Sequence, residues 1–185
     1  AKHILDGFRA EADGFLKQIS GQFLVIVILE TKKQAFIAVD RIARIPVTCC
    51  FTGSSLVFAS ISAAINKHPQ VTSNLNLQAL YNYIYFHFVP SPQTAFDNHI
   101  QIPYGHCAVL NDGQFELKRY WQIEYHNEFG HQTTADYKDR LFELFRKSID
   151  RELEESESVG AFLSGGIDSS SVVGMLSEVS RKLPV

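Results

Sequence analysis

Apolar side chains at Ile4, Leu5, Phe8, Ala12, Phe15, Leu16 and Ile19 recur at helical spacing, which predicts an amphipathic helix over residues 4–19, weakened by Gly7 and Gly14. The rhythm then changes. Gln22–Leu29 is dense in β-branched and large apolar residues and reads as a buried strand; Thr31–Gln34 turns, and Ala35–Val39 is a second strand. Val47–Phe51 and Leu56–Ala59 read as a hairpin around Gly53-Ser54-Ser55. Asn74 or Asn76 is suited to cap a helix running through Leu80, Tyr83, Ile84 and His87, with Pro90 and Pro92 ending it. Asn111-Asp112-Gly113 separates the strands Cys107–Leu110 and Gln114–Tyr120. The resulting body is an α+β sandwich of antiparallel hairpins.

Residues 122–134 are polar and without periodicity, and mark a boundary. Beyond it, Tyr137, Leu141, Phe145, Ile149 and Leu153 form a four-step ladder along one helix face. A polar turn at Glu154–Ser158 leads into a short apolar strand, Val159–Leu163, and then a helix that buries Val172, Val173, Leu176 and Val179. Helix, strand, loop, helix is how a parallel α/β domain opens. Two domains are expected, 1–128 and 133–185.

Composition narrows the function. The chain has 185 residues, 45% hydrophobic and 20% charged, with net charge −3 and scattered basic residues. No basic stripe suggests a nucleic acid, and the longest apolar run, Phe23–Leu29, is too short to span a bilayer. Cys49, Cys50 and Cys107 lack metal-ligand spacing and form an odd set, so reduced thiols and a cytoplasmic location are expected. Adjacent cysteines on a strand point to opposite faces, which argues against a redox pair. His87, His99, His106, His126 and His131 also lack ligand spacing, and the aromatic run Tyr81–Phe88 reads as core or interface.

One stretch is built for chemistry: Gly160-Ala161-Phe162-Leu163-Ser164-Gly165-Gly166-Ile167-Asp168-Ser169. The first amides of a helix have no internal partners, and its dipole favours negative charge by about 0.3–1 kcal/mol. Gly165 and Gly166 let the backbone approach an anion, while Ser164 and Ser169 add hydroxyl donors. Neither G-x-x-x-x-G-K-[ST] nor G-x-G-x-x-G fits, and no lysine follows Gly166. Asp168 then suits Mg²⁺, which would offset phosphate charge. A bare Gly-Gly is usually only a tight turn; the order strand, S-G-G-x-D-S, helix favours the anion site.

Leu163-Ser164-Gly165-Gly166-Ile167-Asp168-Ser169 resembles the signature of the N-type ATP pyrophosphatases, and G-A-F-L-S-G-G-I-D-S-S is most similar to glutamine-hydrolysing asparagine synthetases. Gly21-Gln22-Phe23, Asp40-Arg41, Pro46, Phe58-Ala59-Ser60, Gly105-His106 and Tyr120-Trp121 resemble, in order, the later part of the class II glutamine amidotransferase domain that precedes the ATP domain in that family. Ala43, Ile45 and Ile61 depart from its usual glycine, basic residue and glutamate.

The resemblance implies a truncated Ntn-hydrolase-like amidotransferase domain followed by the first strand-loop-helix of a parallel α/β ATP pyrophosphatase domain. It implies ATP and pyrophosphate binding by Leu163 (through its backbone), Ser164, Gly165, Gly166, Asp168 and Ser169, with Mg²⁺ at Asp168. The implied reaction adenylates aspartate, and glutamine-derived ammonia then displaces AMP. Expected partners are aspartate, glutamine and ATP, with a homodimer allowed and neither nucleic acid nor membrane involved. In the family the attacking thiolate belongs to an N-terminal cysteine whose α-amine acts as base, whereas position 1 is Ala and no cysteine precedes Cys49. The family's clamping arginine, N-G-E and S-D-T-E segments have no counterparts either, so an internal fragment without glutaminase activity is expected. Related ligases on the same scaffold, of β-lactam synthetase, lasso-peptide cyclase or polymer-amidating type, and a non-catalytic nucleotide sensor are the alternatives.

Overall fold

The computed structural model describes residues 14–53, 55–125, 133–154 and 159–179. They divide into two compact units on either side of the Glu124–Tyr125 junction.

The first unit is built from hairpins. Strands β1 (Leu24–Leu29), β2 (Gln34–Val39), β6 (His106–Asn111) and β7 (Gln114–Arg119) form one antiparallel sheet in the order β1-β2-β6-β7. Strands β3 (Thr48–Phe51), β4 (Leu56–Ala59) and β5 (His99–Gln101) form a second, ordered β4-β3-β5. Period-two alternation sends the side chains of β2 into two cores. Phe36 and Ala38 join Phe15, Leu16, Val25, Val27, Cys107 and Tyr120 on one face. Ile37 and Val39 join Val47, Cys49, Ile102 and Ala108 on the other, where residues of both sheets meet. Phe51 and Phe115 close that inner layer edge to face at 5.1 Å.

The turns follow their residues. Between β6 and β7, Asp112 and Gly113 take φ values of 46° and 79°, the pair of positive angles that a two-residue hairpin needs. Helix α1 (Ser62–Ile65) is a single turn. Helix α2 (Leu77–Phe86) is capped by Asn76, whose side chain accepts a 2.9 Å hydrogen bond from the Ala79 amide, which settles the choice between Asn74 and Asn76. The helix ends at His87, in the left-handed conformation at φ 60°, before either proline is reached. Most of the helix expected over 4–19 lies outside the described residues; Gly14–Gln18 is a 3₁₀ turn.

The second unit has two helices. Helix α3 (Thr134–Glu154) starts from a capping box. Thr133 donates its amide and hydroxyl to Asp136 Oδ2 at 2.7 and 2.8 Å, and the Asp136 amide donates back to Thr133 Oγ1 at 3.3 Å. These bonds, the backbone one foremost, hold the Asp136 carboxyl below its usual range. Helix α4 (Ile167–Val179) buries Met175 and Leu176, while Val172 is exposed.

The strand expected over 159–163 is not formed: these residues carry no ladder. A strand exists only by pairing, and no described strand lies alongside to supply the hydrogen bonds. Among the described residues no helix is long and apolar enough to cross a membrane.

Candidate functional site

The loop between residue 163 and α4 is held by its own side chains. Ser169 Oγ donates to the Gly166 carbonyl at 3.1 Å, and the Ser164 and Ser169 hydroxyls lie 2.9 Å apart. The Ser164 amide donates to Ser169 Oγ at 3.3 Å, and the Gly166 amide to Ser164 Oγ at 3.4 Å. Since Ser169 donates to Gly166, Ser164 is the donor in the hydroxyl pair, and both hydroxyl protons are spent on shaping the loop. The first intrahelical bond is Ser170 N to the Gly166 carbonyl at 3.1 Å. The amides of Ile167, Asp168 and Ser169 find no acceptor among the described residues. These are the outward-pointing donors of a helix start, and they bear the positive end of the α4 dipole.

The two glycines do different things. Gly165 has φ 81°, where an L-residue is strained, and nothing lies within 4 Å of a Cβ built on it. Gly166 has an ordinary φ, and its added Cβ would meet only Ser164 Oγ at 3.4 Å. The chain itself therefore tolerates a side chain at 166; what such a side chain fills is the space in front of the loop. The Asp168 carboxylate is exposed and has no hydrogen-bond partner among the described residues, so it does not cap the helix. The Leu163 side chain is also exposed. Beside the loop, a groove of about 340 Å³ is walled by Ile149, Leu153, Ala161, Phe162, Val172 and Leu176, with Ser169 at its edge.

Among the described residues no three His, Cys, Asp or Glu side chains converge as a metal cage. Asp168 by itself suits Mg²⁺ in the mode in which one or two carboxylates and substrate phosphate oxygens share the ion with water. The donor set thus fits a metal that arrives with a phosphate ligand.

In the first unit, the pieces scattered through the sequence form one knot around Asp40, a carboxylate 1% exposed. Its side chain accepts from the amides of Ile42 (2.9 Å) and Arg44 (3.2 Å), and its carbonyl accepts from Ala43 and Gly105. Its own amide donates to the Phe23 carbonyl. The Gly105 carbonyl in turn accepts from Tyr120 and Trp121, and a Cβ at Gly105 would sit 2.5 Å from the Trp121 carbonyl oxygen. Tyr120 closes the knot by donating to the Val39 carbonyl at 2.6 Å. Burial, then the charge of Asp40, pushes the Tyr120 hydroxyl up to about 12. Ala43, which stands where the resembled family has glycine, takes φ 51°, a conformation glycine adopts without strain.

The three thiols are buried. Cys49 is 1% exposed in the inner core, and burial, with Cys50 beside it, pushes it up to about 12. Cys50 faces the other way, opposite His99 in the β3–β5 ladder. His99, which has no ligand spacing in the sequence, is buried with both ring nitrogens unpartnered among the described residues, its ring 5.3 Å from Phe96. Burial lowers its pKa.

Residues 2–121 match the family model described as a glutamine amidotransferase domain, and residues 140–185 that described as asparagine synthase. The chain is 28% identical over 160 residues to asparagine synthetase 3 (glutamine-hydrolysing) of Bacillus subtilis, covering 85% of this chain and 25% of that one. It is 28% identical over 178 residues to asparagine synthetase 2 of the same organism, covering 89% and 24%. Amidase chyE of Penicillium rubens is 34% identical over 83 residues, 42% of this chain and 12% of its own. The chain thus spans about a quarter of the length of the two synthetases it matches.

Proposed function

This chain belongs to the glutamine amidotransferase family in the form found in glutamine-hydrolysing asparagine synthetases, and we propose that the protein carrying it makes asparagine from aspartate, ATP and glutamine-derived ammonia. One observation carries the reading. Three unpartnered amides at the start of α4 stand beside the exposed carboxylate of Asp168, behind a loop that Ser164, Gly165 and Ser169 hold open.

In the proposed reaction an oxygen of the aspartate side-chain carboxylate attacks the α-phosphorus of ATP, and the α–β bond breaks with pyrophosphate leaving. Ammonia then attacks the acyl carbon, AMP departs with the electron pair of the C–O bond, and loss of a proton leaves the amide. The loop contributes preorganised donors for the charge that grows on the leaving pyrophosphate. The Ile167, Asp168 and Ser169 amides supply them, with no side chain at Gly166 in their way. Asp168 would hold Mg²⁺ against the same oxygens, where the ion supplies charge neutralisation. The Asp40 knot positions backbone and does no chemistry in this scheme.

A second reading, an amide ligase of the same scaffold with another carboxylate acceptor, rests on the departures at Ala43 and Ile45 from the residues usual in the family. One experiment addresses both. In a full-length protein, Asp168→Ala and Gly166→Val are expected to abolish aspartate-dependent pyrophosphate release with ATP and Mg²⁺ while leaving glutamine hydrolysis largely intact. Near-normal release in both variants would reduce the loop to a turn. Release that depends on a different carboxylate would establish the second reading.

A further inference from the structure

We propose that a cavity beside Trp121, in the first unit, is a binding site for a small aromatic anion. The cavity is about 580 Å³, within the range of small-molecule sites, and its wall includes Lys17, Arg119, Tyr120, Trp121, Ile123 and Glu124. Neither Lys17 nor Arg119 makes an ion pair with a described residue, and Glu124 is the one acid among the described lining residues, which together carry net positive charge. Behind the wall, the Arg41 guanidinium lies 5.6 Å from the centroid of the Trp121 ring and donates from Nη2 to the Lys17 carbonyl at 3.1 Å. It ties the segment that carries Lys17 to the segment that carries Trp121, so the two walls are held before a ligand arrives.

The Tyr120 hydroxyl is occupied by the Val39 carbonyl, so Tyr120 offers its ring and not its hydroxyl. Aromatic surface flanked by two cations selects a flat apolar group that carries a carboxylate or phosphate. This inference does not rest on the proposed reaction, whose loop lies in the other unit.

Trp121 is the single tryptophan of the sequence, so its emission reports on this cavity. The 185-residue chain is titrated with AMP and with phenylacetate, each beside its uncharged counterpart, adenosine or benzyl alcohol. A saturable change with an anion and not with its neutral counterpart is expected. A response to AMP alone marks a nucleotide site, and a response to phenylacetate marks a site for aromatic acids. Lys17→Ala combined with Arg119→Ala, both on exposed side chains, should weaken binding about tenfold or more. Pyrophosphate, which the α4 loop would take, should leave the emission unchanged. The proposal is overturned by no saturable change with either anion, by an equal response to the neutral compounds or to pyrophosphate, or by titrations that the double variant does not alter.

Discussion

The two units of this chain bury their apolar residues very differently. In the first, the last four side chains of β2, Phe36 to Val39, are each 3% exposed or less, because both faces of the strand are covered. In the second, α3 has no buried residue along its length, and α4 buries two. The chemistry follows the opposite order. The residues proposed to handle ATP sit in the thinly packed unit, whereas the Asp40 knot spends nearly every polar group on structure. Backbone donors that packing leaves unpaired are the ones a ligand can use, and binding loops come from the less stable parts of proteins for that reason.

This contrast can be broken, most severely in the double core. Phe36→Ala should cost about 3–5 kcal/mol of stability in chemical denaturation. Leu141→Ala on α3, at a position 65% exposed, should change it by less than about 0.5 kcal/mol. Equal losses would mean that the second unit is packed as tightly as the first.

Acid sharpens the same comparison. Burial lowers the folded-state pKa of His99 below its ordinary 6.5. The unfolded chain therefore takes up the proton first as pH falls. The stability contributed by neutral His99 is complete above about 6.5 and is lost as pH drops from there through the folded-state value. Stability measured across that window should be flatter in His99→Leu than in the parent; parallel curves would show that the imidazole is hydrated.

Tyr120→Phe removes the bond to the Val39 carbonyl and leaves that buried acceptor unpaired, an expected loss of about 1–2 kcal/mol by denaturant midpoint. Ala43→Gly should work the other way. Relief of the left-handed strain exceeds the added backbone freedom of glycine, for a net gain of about 0.5–1 kcal/mol, read as a higher melting temperature. The smallest effect belongs to the helical unit. Glu178→Gln breaks a 3.0 Å ion pair with Arg146 between side chains more than half exposed, and should cost less than about 0.5 kcal/mol, vanishing in salt.

Much of this architecture is legible along the chain because it is local. Runs of β-branched and large apolar residues locate β1 and β2; Asp112-Gly113 turns the hairpin of β6 and β7; Asn76 caps α2; a period near four marks α3. The glycine pair of the loop is legible for the same reason, since Gly165 meets its demand for positive φ within its own backbone. Strand β5 is not legible in the sequence: three residues, His99 to Gln101, show no pattern and exist as a strand through the β3 ladder. The segment 159–163 errs the other way, apolar enough to suggest a strand but without a neighbour among the described residues.

What sequence alone determined is thus the set of elements and the residue types of the loop, because φ preferences, caps and burial periods depend on neighbours a few positions away. Tertiary structure decided which groups are spent and which remain available. Asp40 meets Gly105, and Gly105 meets Tyr120 and Trp121, across gaps that no spacing rule spans. Asp168 is exposed and uncapping, while His99 is buried with unpartnered nitrogens, though nothing in the residue letters separates them. Hydrogen-bond partners and water exclusion are contributed by residues distant along the chain, so they are defined only once the chain has folded.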